Sequence, residues 1–373
     1  MSELTAAEQL KFLLLAEGLT ISSAAQAYID EGNCGRAMTP ADYASTSGII
    51  LELDDEVWVN APIAQYNANF VENPSFVLDL DGQSLFVRGL GLESAARFWL
   101  PPDYHGKNND QGESLNSYAF THSDRVRISP IEGCSMVCKF CNLPYDFRYR
   151  TKRVEGLVDS VSRAINDPMQ PAHHVLISGG TPHSKDVGYV RDVYEAVISG
   201  FPGIPVDIMM VPRDDLLDPV WVDKIGVNEL SVNLEIYNED LARKIMRQKA
   251  DQGLGTYLDY LDRASSILGG HRVRSMLMVG LEPMEDTLAG VRAIAERGAV
   301  PVLSPFRPDA STPMRDHEPP TAKFMEETYL RAREITTALN TPLGPGCIPC
   351  SHNTLTLAES GDAAVYHGHP KMI

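Results

Sequence analysis

Of the six cysteines in this 373-residue sequence, Cys134, Cys138 and Cys141 fall close together in the order C-x3-C-x2-C. Thiolates spaced so tightly along one loop can wrap an iron–sulfur cluster, and a [4Fe–4S] cube usually takes four cysteines. With three, one iron keeps an open position where a small molecule can chelate, so the spacing points to chemistry at the cluster as well as electron transfer. The rival chemistries fit less well. Structural zinc is closed by four ligands, and no histidine follows Cys141 at matching spacing. Residues 134, 138 and 141 are poorly placed to staple one another as disulfides, and nothing marks the chain as secreted.

The triplet, with Phe140 just before its last cysteine, resembles the cluster loop of the radical S-adenosylmethionine (SAM) superfamily. That resemblance implies a [4Fe–4S] cluster whose open iron holds the amino and carboxylate groups of SAM. It implies reductive cleavage of SAM to a 5′-deoxyadenosyl radical that acts on a small-molecule substrate in a biosynthetic pathway. Ser178-Gly179-Gly180-Thr181-Pro182 resembles the Gly-Gly-Glu motif that contacts the SAM amino group, with Thr181 where Glu is common. Glycines there also serve the sterics of a strand-to-helix turn. Asn233-Leu234-Glu235 resembles the Asn-Leu-Asp segment of biotin synthase, in which the acidic residue bonds the ribose; alternation puts Asn233 and Glu235 on one strand face. Ile245-Met246-Arg247-Gln248-Lys249 resembles the segment that keeps an arginine for the SAM carboxylate. A bidentate guanidinium favours Arg247 over Lys249, the alternative being an exposed cation at a helix end. Met278-Val279-Gly280-Leu281-Glu282 resembles the Gly-x-Ile-x-Gly region along adenine, with Val279 and Leu281 as apolar neighbours of the base. Together with Thr312-Pro313, the pattern is closest to the biotin synthase and lipoyl synthase-like branch.

These residues need a frame. Apolar β-rich runs at 126–131, 174–178, 206–211, 229–234, 273–279 and 300–303 alternate with helical periodicity at 154–165, 187–198, 241–246, 256–268 and 288–296. Such alternation gives βα units and a parallel sheet, and the resemblance implies a partial (βα)6 TIM-like barrel over residues 119–315. The cysteine loop directly follows the first strand, where parallel barrels carry their reacting groups. Residues 1–118 read as a small α+β cap with helices at 10–16 and 22–29 and hairpins around Asp54-Asp55 and Asp81-Gly82. The Pro/Asp/Asn/Gly-rich run 101–118 reads as a linker or mobile loop. Residues 316–373 hold a helix over 320–339 and a Gly/Pro-shaped tail.

Cys34, Cys347 and Cys350 have no part in the triplet. They suit a second iron–sulfur cluster with one iron left for substrate, sulfide or a further ligand such as His352. Zinc held by Cys347, Cys350 and His352, thiols that capture a soft substrate such as trivalent arsenic, and plain free thiols are the alternatives. Tyr145, His183 and Arg307 are candidate substrate contacts, each also readable as structural.

A formal charge of −18 opposes nucleic acid, because phosphate backbones need clustered Lys and Arg. The local group Arg148, Arg150, Lys152 and Arg153 reads as a solvated helix approach or an anion contact. The N-terminal residues lack a basic stretch ahead of an apolar one, and Leu10 to Leu19 is too short for a membrane span. The expectation is a cytoplasmic enzyme that takes a small-molecule substrate and an electron donor such as flavodoxin or ferredoxin. Two other reactions stay open: transfer of a 3-amino-3-carboxypropyl group from SAM, for instance to arsenic, and radical sulfur insertion. The non-enzymatic reading is an iron–sulfur sensor that leaves SAM intact.

Overall fold

In a computed structural model, residues 4–43, 48–64, 73–357, 365 and 367–373 are described. The first three residues and part of the expected tail therefore lie outside them. Six parallel strands, Arg125–Ile128, His174–Ile177, Val206–Met209, Leu230–Ser231, Val273–Val279 and Val300–Pro305, lie side by side in chain order. Helices Val154–Ile165, Val187–Gly200, Glu239–Ile245, Leu254–Leu268 and Met284–Ala295 fall between them. The fold is an α/β partial (βα)6 barrel. Val126, Ile128, Val175, Ile177 and Ile208 are fully buried in the main core. The alternate positions, Arg125, Arg127, His174, Asp207, Ser231 and Arg274, carry polar groups to the other face. There Arg274 pairs with Asp207 (3.3 Å) and with Glu229.

Three elements of this unit escape sequence periodicity. Ala119–His122 adds an antiparallel edge strand beside Arg125–Ile128. Asp214–Leu217 and Pro219–Ile225 are helices too short to show a period, although the second has a local signature: Asp218 caps it, accepting from Trp221 N–H, and Pro219 sits in its first turn.

The N-terminal sheet has the order Thr20–Ile21, Val77–Asp81, Ser84–Gly89, Leu92–Phe98, Gly48–Leu53, Val57–Pro62. Both expected hairpins are present, and the unanticipated strand Leu92–Phe98, poor in β-branched residues, joins them. Helix Ala6–Glu17 starts in a reciprocal Thr5/Glu8 capping box, and Ser23–Gly32 follows.

Residues 101–118 are not a linker. Tyr104, His105, Asn109 and Leu115 are buried, and the Asp167 carboxylate accepts from the backbone N–H groups of Asp103 and Tyr104 at 3.0 and 2.9 Å. The run's own polar residues add internal hydrogen bonds, Asn109 Oδ1 accepting from Gln111 N–H (3.0 Å) and Glu113 N–H (2.9 Å). The helix expected at 320–339 spans Ala322–Ala338, capped by Thr321. The chain end returns to the N-terminal sheet, where Phe98 N–H donates to the Ile373 carbonyl and Ile373 N–H to the Phe98 carbonyl (2.6 and 2.9 Å).

Candidate active site at the cysteine loop

The loop that carries the triplet leaves the first barrel strand and is closed at its base by Ile131–Glu132 pairing with Arg150–Thr151. Gly133 begins it at φ +69°, with Phe147 and Tyr149 backbone so near that a side chain would meet them at about 3 Å. The loop after the second strand packs directly on it. Thr181 N–H donates to Cys134 Sγ (3.2 Å), and the Thr181 carbonyl accepts from Ser135 N–H (3.0 Å). A Cβ on Gly180 would stand 1.7 Å from the Gly133 carbonyl oxygen, and one on Gly179, itself at φ +113°, 2.1 Å from Ser129 Oγ. Gly180 is thus required by close packing against the cysteine loop, and Gly179 by Ser129 just past the first strand.

The far side of the loop is held by the segment after the fourth strand. Lys139 N–H donates to the Ile245 carbonyl (2.9 Å), and Val137 N–H to Gln248 Oε1 (2.6 Å). Cys138, Phe140 and Cys141 share an apolar cluster with Ile236, Met246, Leu281 and Phe306. Burial pushes the Cys138 thiol up to about 12, with Lys249 pulling the other way, and raises Cys141 as well. Metal-free thiols in this setting stay protonated at neutral pH, and a metal is what would make them thiolates.

Glu235 lies in the left-handed region at φ +65°, a costly conformation for a long side chain. Its carboxylate is buried: Oε1 accepts from Lys249 Nζ (2.9 Å), and Oε2 has no hydrogen-bond partner among the described residues. Burial works against the Lys249 charge, but the facing carboxylate more than restores it, so the ammonium is held above the usual lysine range.

Several expected site residues are brought together here and several are not. The triplet, Phe140, Gly180, Thr181, Glu235 and Leu281 converge. Asn233 is buried beside them, but its Oδ1 already accepts from Ser231 Oγ (2.8 Å) and Met276 N–H (3.2 Å). Arg247 is displaced: its side chain is 83% exposed and faces Asp251, while that of Lys249 is 14% exposed and faces Glu235. Residues two apart on a short helix do not share one face, and it is Lys249, not Arg247, that reaches the buried Glu235. Val279 points the other way, into the helix-packed core, since strand alternation sets it with Leu277. Arg307 turns to the N-terminal sheet, donating to the Asn60 carbonyl (2.9 Å). His183 packs against Tyr149 with ring centroids 4.2 Å apart and the rings tilted by 55°, and Tyr145 is exposed near the loop.

Arg127 was not singled out from sequence, although its place between Val126 and Ile128 marks it for the non-core face. Its Nε donates to Ser178 Oγ (2.7 Å), and among the described residues no carboxylate lies within ion-pair reach.

The auxiliary ligand sets expected from sequence do not form. Cys34 is exposed just past helix Ser23–Gly32, and among the described residues no contact joins it to Cys347 or Cys350. His352 is buried with both ring nitrogens engaged, one 2.8 Å from the Pro349 carbonyl and the other 2.9 Å from Asn353 Nδ2.

No helix among the described residues is long and apolar enough to cross a membrane. Solved structures similar to this chain include HydG, a maturase of the [FeFe]-hydrogenase, at TM-score 0.49 and 12% identity, covering 59% of this chain and 51% of that one. A radical SAM methyltransferase from Sphaerobacter thermophilus has TM-score 0.46 and 14% identity, covering 70% and 72%. The bacteriochlorophyllide c C-7(1)-hydroxylase of Chlorobaculum limnaeum is 26% identical over 128 residues, so the match spans 34% of this chain and 32% of that protein. Residues 128–293, from the end of the first strand through the helix after the fifth, match the Radical SAM superfamily model. That segment contains the cysteine triplet, so the part of the chain similar to the radical SAM superfamily is the part that carries the candidate site.

Proposed function

We propose that Cys134, Cys138 and Cys141 hold a [4Fe–4S] cluster and that the chain reductively cleaves SAM there to act on a small molecule. The observation that carries this reading is the gathering of three thiols on one loop facing a buried carboxylate with an unsatisfied oxygen. The donor set fits a cube with one open iron, because the three cysteines are the only protein thiols on the loop. Bound there, the cluster supplies the electron that splits a carbon–sulfur bond of SAM. The chain's own residues bind, orient and exclude water. Glu235 Oε2 offers an acceptor for a ribose hydroxyl, and an ammonium has three donors, so Lys249 keeps two beyond the one it gives Glu235. Those suit the SAM carboxylate. Leu281, Ile236 and Phe306 form the dry wall beside the cysteines.

Arg127, a cation on the barrel's polar face without a carboxylate, favours an anionic substrate. Asn233-Leu234-Glu235 keeps the biotin synthase and lipoyl synthase-like branch as the nearest pattern. A labile cluster and free thiols suit the reducing cytoplasm, with flavodoxin or ferredoxin as electron donor. The test is anaerobic reconstitution with dithionite and SAM. 5′-Deoxyadenosine should form and should vanish in Cys138→Ala; methylthioadenosine instead would show 3-amino-3-carboxypropyl transfer, and SAM left intact by the wild-type chain would refute the reading.

A further inference from the structure

A second set of metal-ligating side chains gathers at the opposite ends of the barrel strands. His174 is the first residue of the second strand, whereas the proposed SAM site follows the strands' last residues. Ligand atoms of His174, Cys347 and His367 all lie within 4.8 Å of one another. Cys350 Sγ stands 3.5 Å from His174 Nε2. His174, Cys347 and Cys350 are buried, and His367 covers the group, its ring centroid 4.4 Å from that of His174.

We propose that Cys347, Cys350, His174 and His367 form a mononuclear zinc site that pins the tail to the closed end of the barrel. Two thiolates and two imidazoles are a complete tetrahedral set for zinc, and the C-x2-C spacing is that of structural sites. The charge balances: a divalent cation neutralises two thiolates that burial would otherwise penalise. A carboxylate of the kind that orients a ligating histidine in such sites stands nearby, although His174 Nδ1 makes no hydrogen bond among the described residues. Asp124 Oδ2 lies 3.5 Å from His174 Nδ1, on the side of the ring away from Cys350, and its Oδ1 is held 2.8 Å from His173 Nδ1. A [4Fe–4S] cube would lack cysteines, since Cys34 is elsewhere. A two-iron cluster with mixed Cys and His ligation spreads its thiolates and imidazoles over separate irons, whereas here a sulfur and a ring nitrogen converge. The tail already meets the last barrel strand where Gly344 N–H donates to the Pro301 carbonyl (2.8 Å) and Leu355 N–H to the Leu303 carbonyl (2.9 Å), and the zinc would tie it to the second strand as well.

The experiment is metal analysis of the full chain purified without oxygen, with cobalt(II) substitution as a second readout. The expected result is about one zinc per chain, with thiolate–cobalt absorption on substitution. A Cys350→Ser, His367→Gln chain should lose the zinc, and Asp124→Asn should weaken it about 10- to 100-fold. A chain with Cys134, Cys138 and Cys141 all changed to Ala should keep it, which separates this proposal from the one for the cysteine loop. Absence of zinc in the wild-type chain, or iron and labile sulfide that depend on Cys347 and Cys350, would overturn it.

Discussion

Lys249 Nζ stands 2.9 Å from Glu235 Oε1, with the two side chains 14% and 8% exposed, beside the most buried cysteine of the triplet. Removing one partner of such a pair leaves an uncompensated buried charge, which costs about 3–5 kcal/mol. Lys249→Met should therefore lower stability and raise the KM for SAM at least about tenfold, a tenfold change being about 1.4 kcal/mol. Arg247→Met removes an exposed cation and should shift stability by no more than about 0.5 kcal/mol. Steady-state kinetics on both variants decides between the two cations, and the reverse ranking would restore Arg247 to the SAM site.

Gly180→Ala would drive a Cβ to 1.7 Å from the Gly133 carbonyl, and backbone on both sides leaves no flexible atom to yield. The cysteine loop must then shift. We expect about 1–3 kcal/mol of lost stability and a reconstituted iron content clearly below that of wild type. Gly188→Ala is the control: nothing lies within 4 Å of its Cβ position, on helix Val187–Gly200. That change should be neutral or stabilising by up to about 1 kcal/mol, with iron unchanged.

The barrel was legible because each of its long elements declares itself locally. Val206–Met209 and Val273–Val279 are short, mainly apolar runs, and Leu254–Leu268 repeats its apolar residues at helical spacing. The cysteine triplet was legible for the same reason, three ligands in one short loop. What sequence did not give are pairings that only the third dimension makes. His174 reads as one more strand residue until the tail brings Cys347, Cys350 and His367 to it. Lys249 and Arg247 differ by two positions in a segment without periodicity, and burial alone ranks them. Val279 could have been placed from sequence, since the period of two that sets Leu277 toward the helices does the same for Val279.

Asp167 fixes a stretch whose composition suggests freedom. Besides Asp103 and Tyr104, its carboxylate accepts from Met169 and Gln170 N–H groups, both at 2.9 Å. Tyr104 and Gln170 are buried, so Asp167→Ala strands donors that water cannot easily reach. Each unsatisfied group costs about 1–3 kcal/mol. The expected outcome is a loss of about 3 kcal/mol in urea unfolding, with faster amide exchange concentrated in residues 101–118. Exchange unchanged there would mean that the segment is held by other contacts.

Lys11 gives the chain a pH dependence of calculable sign. Its side chain is fully buried in helix Ala6–Glu17, and Nζ donates to the carbonyls of Ser351 (3.1 Å) and Thr356 (2.5 Å), tying the helix to the tail. Burial pulls its pKa down to about 7, with Glu8 acting in the opposite direction. In the unfolded chain the same amine titrates near 10.4. Between those values the unfolded chain binds more protons than the folded one, so stability rises with pH by up to about 1.4 kcal/mol per unit. Below about 7 both states are protonated and the penalty is complete and constant. Lys11→Met has no such linkage, whatever else it costs. The wild-type stability minus that of the variant should therefore climb from pH 7 to pH 10 in anaerobic urea titrations. A difference that stays flat across that window would show the amine to be charged in the folded chain, with Glu8 and the two carbonyls outweighing its burial.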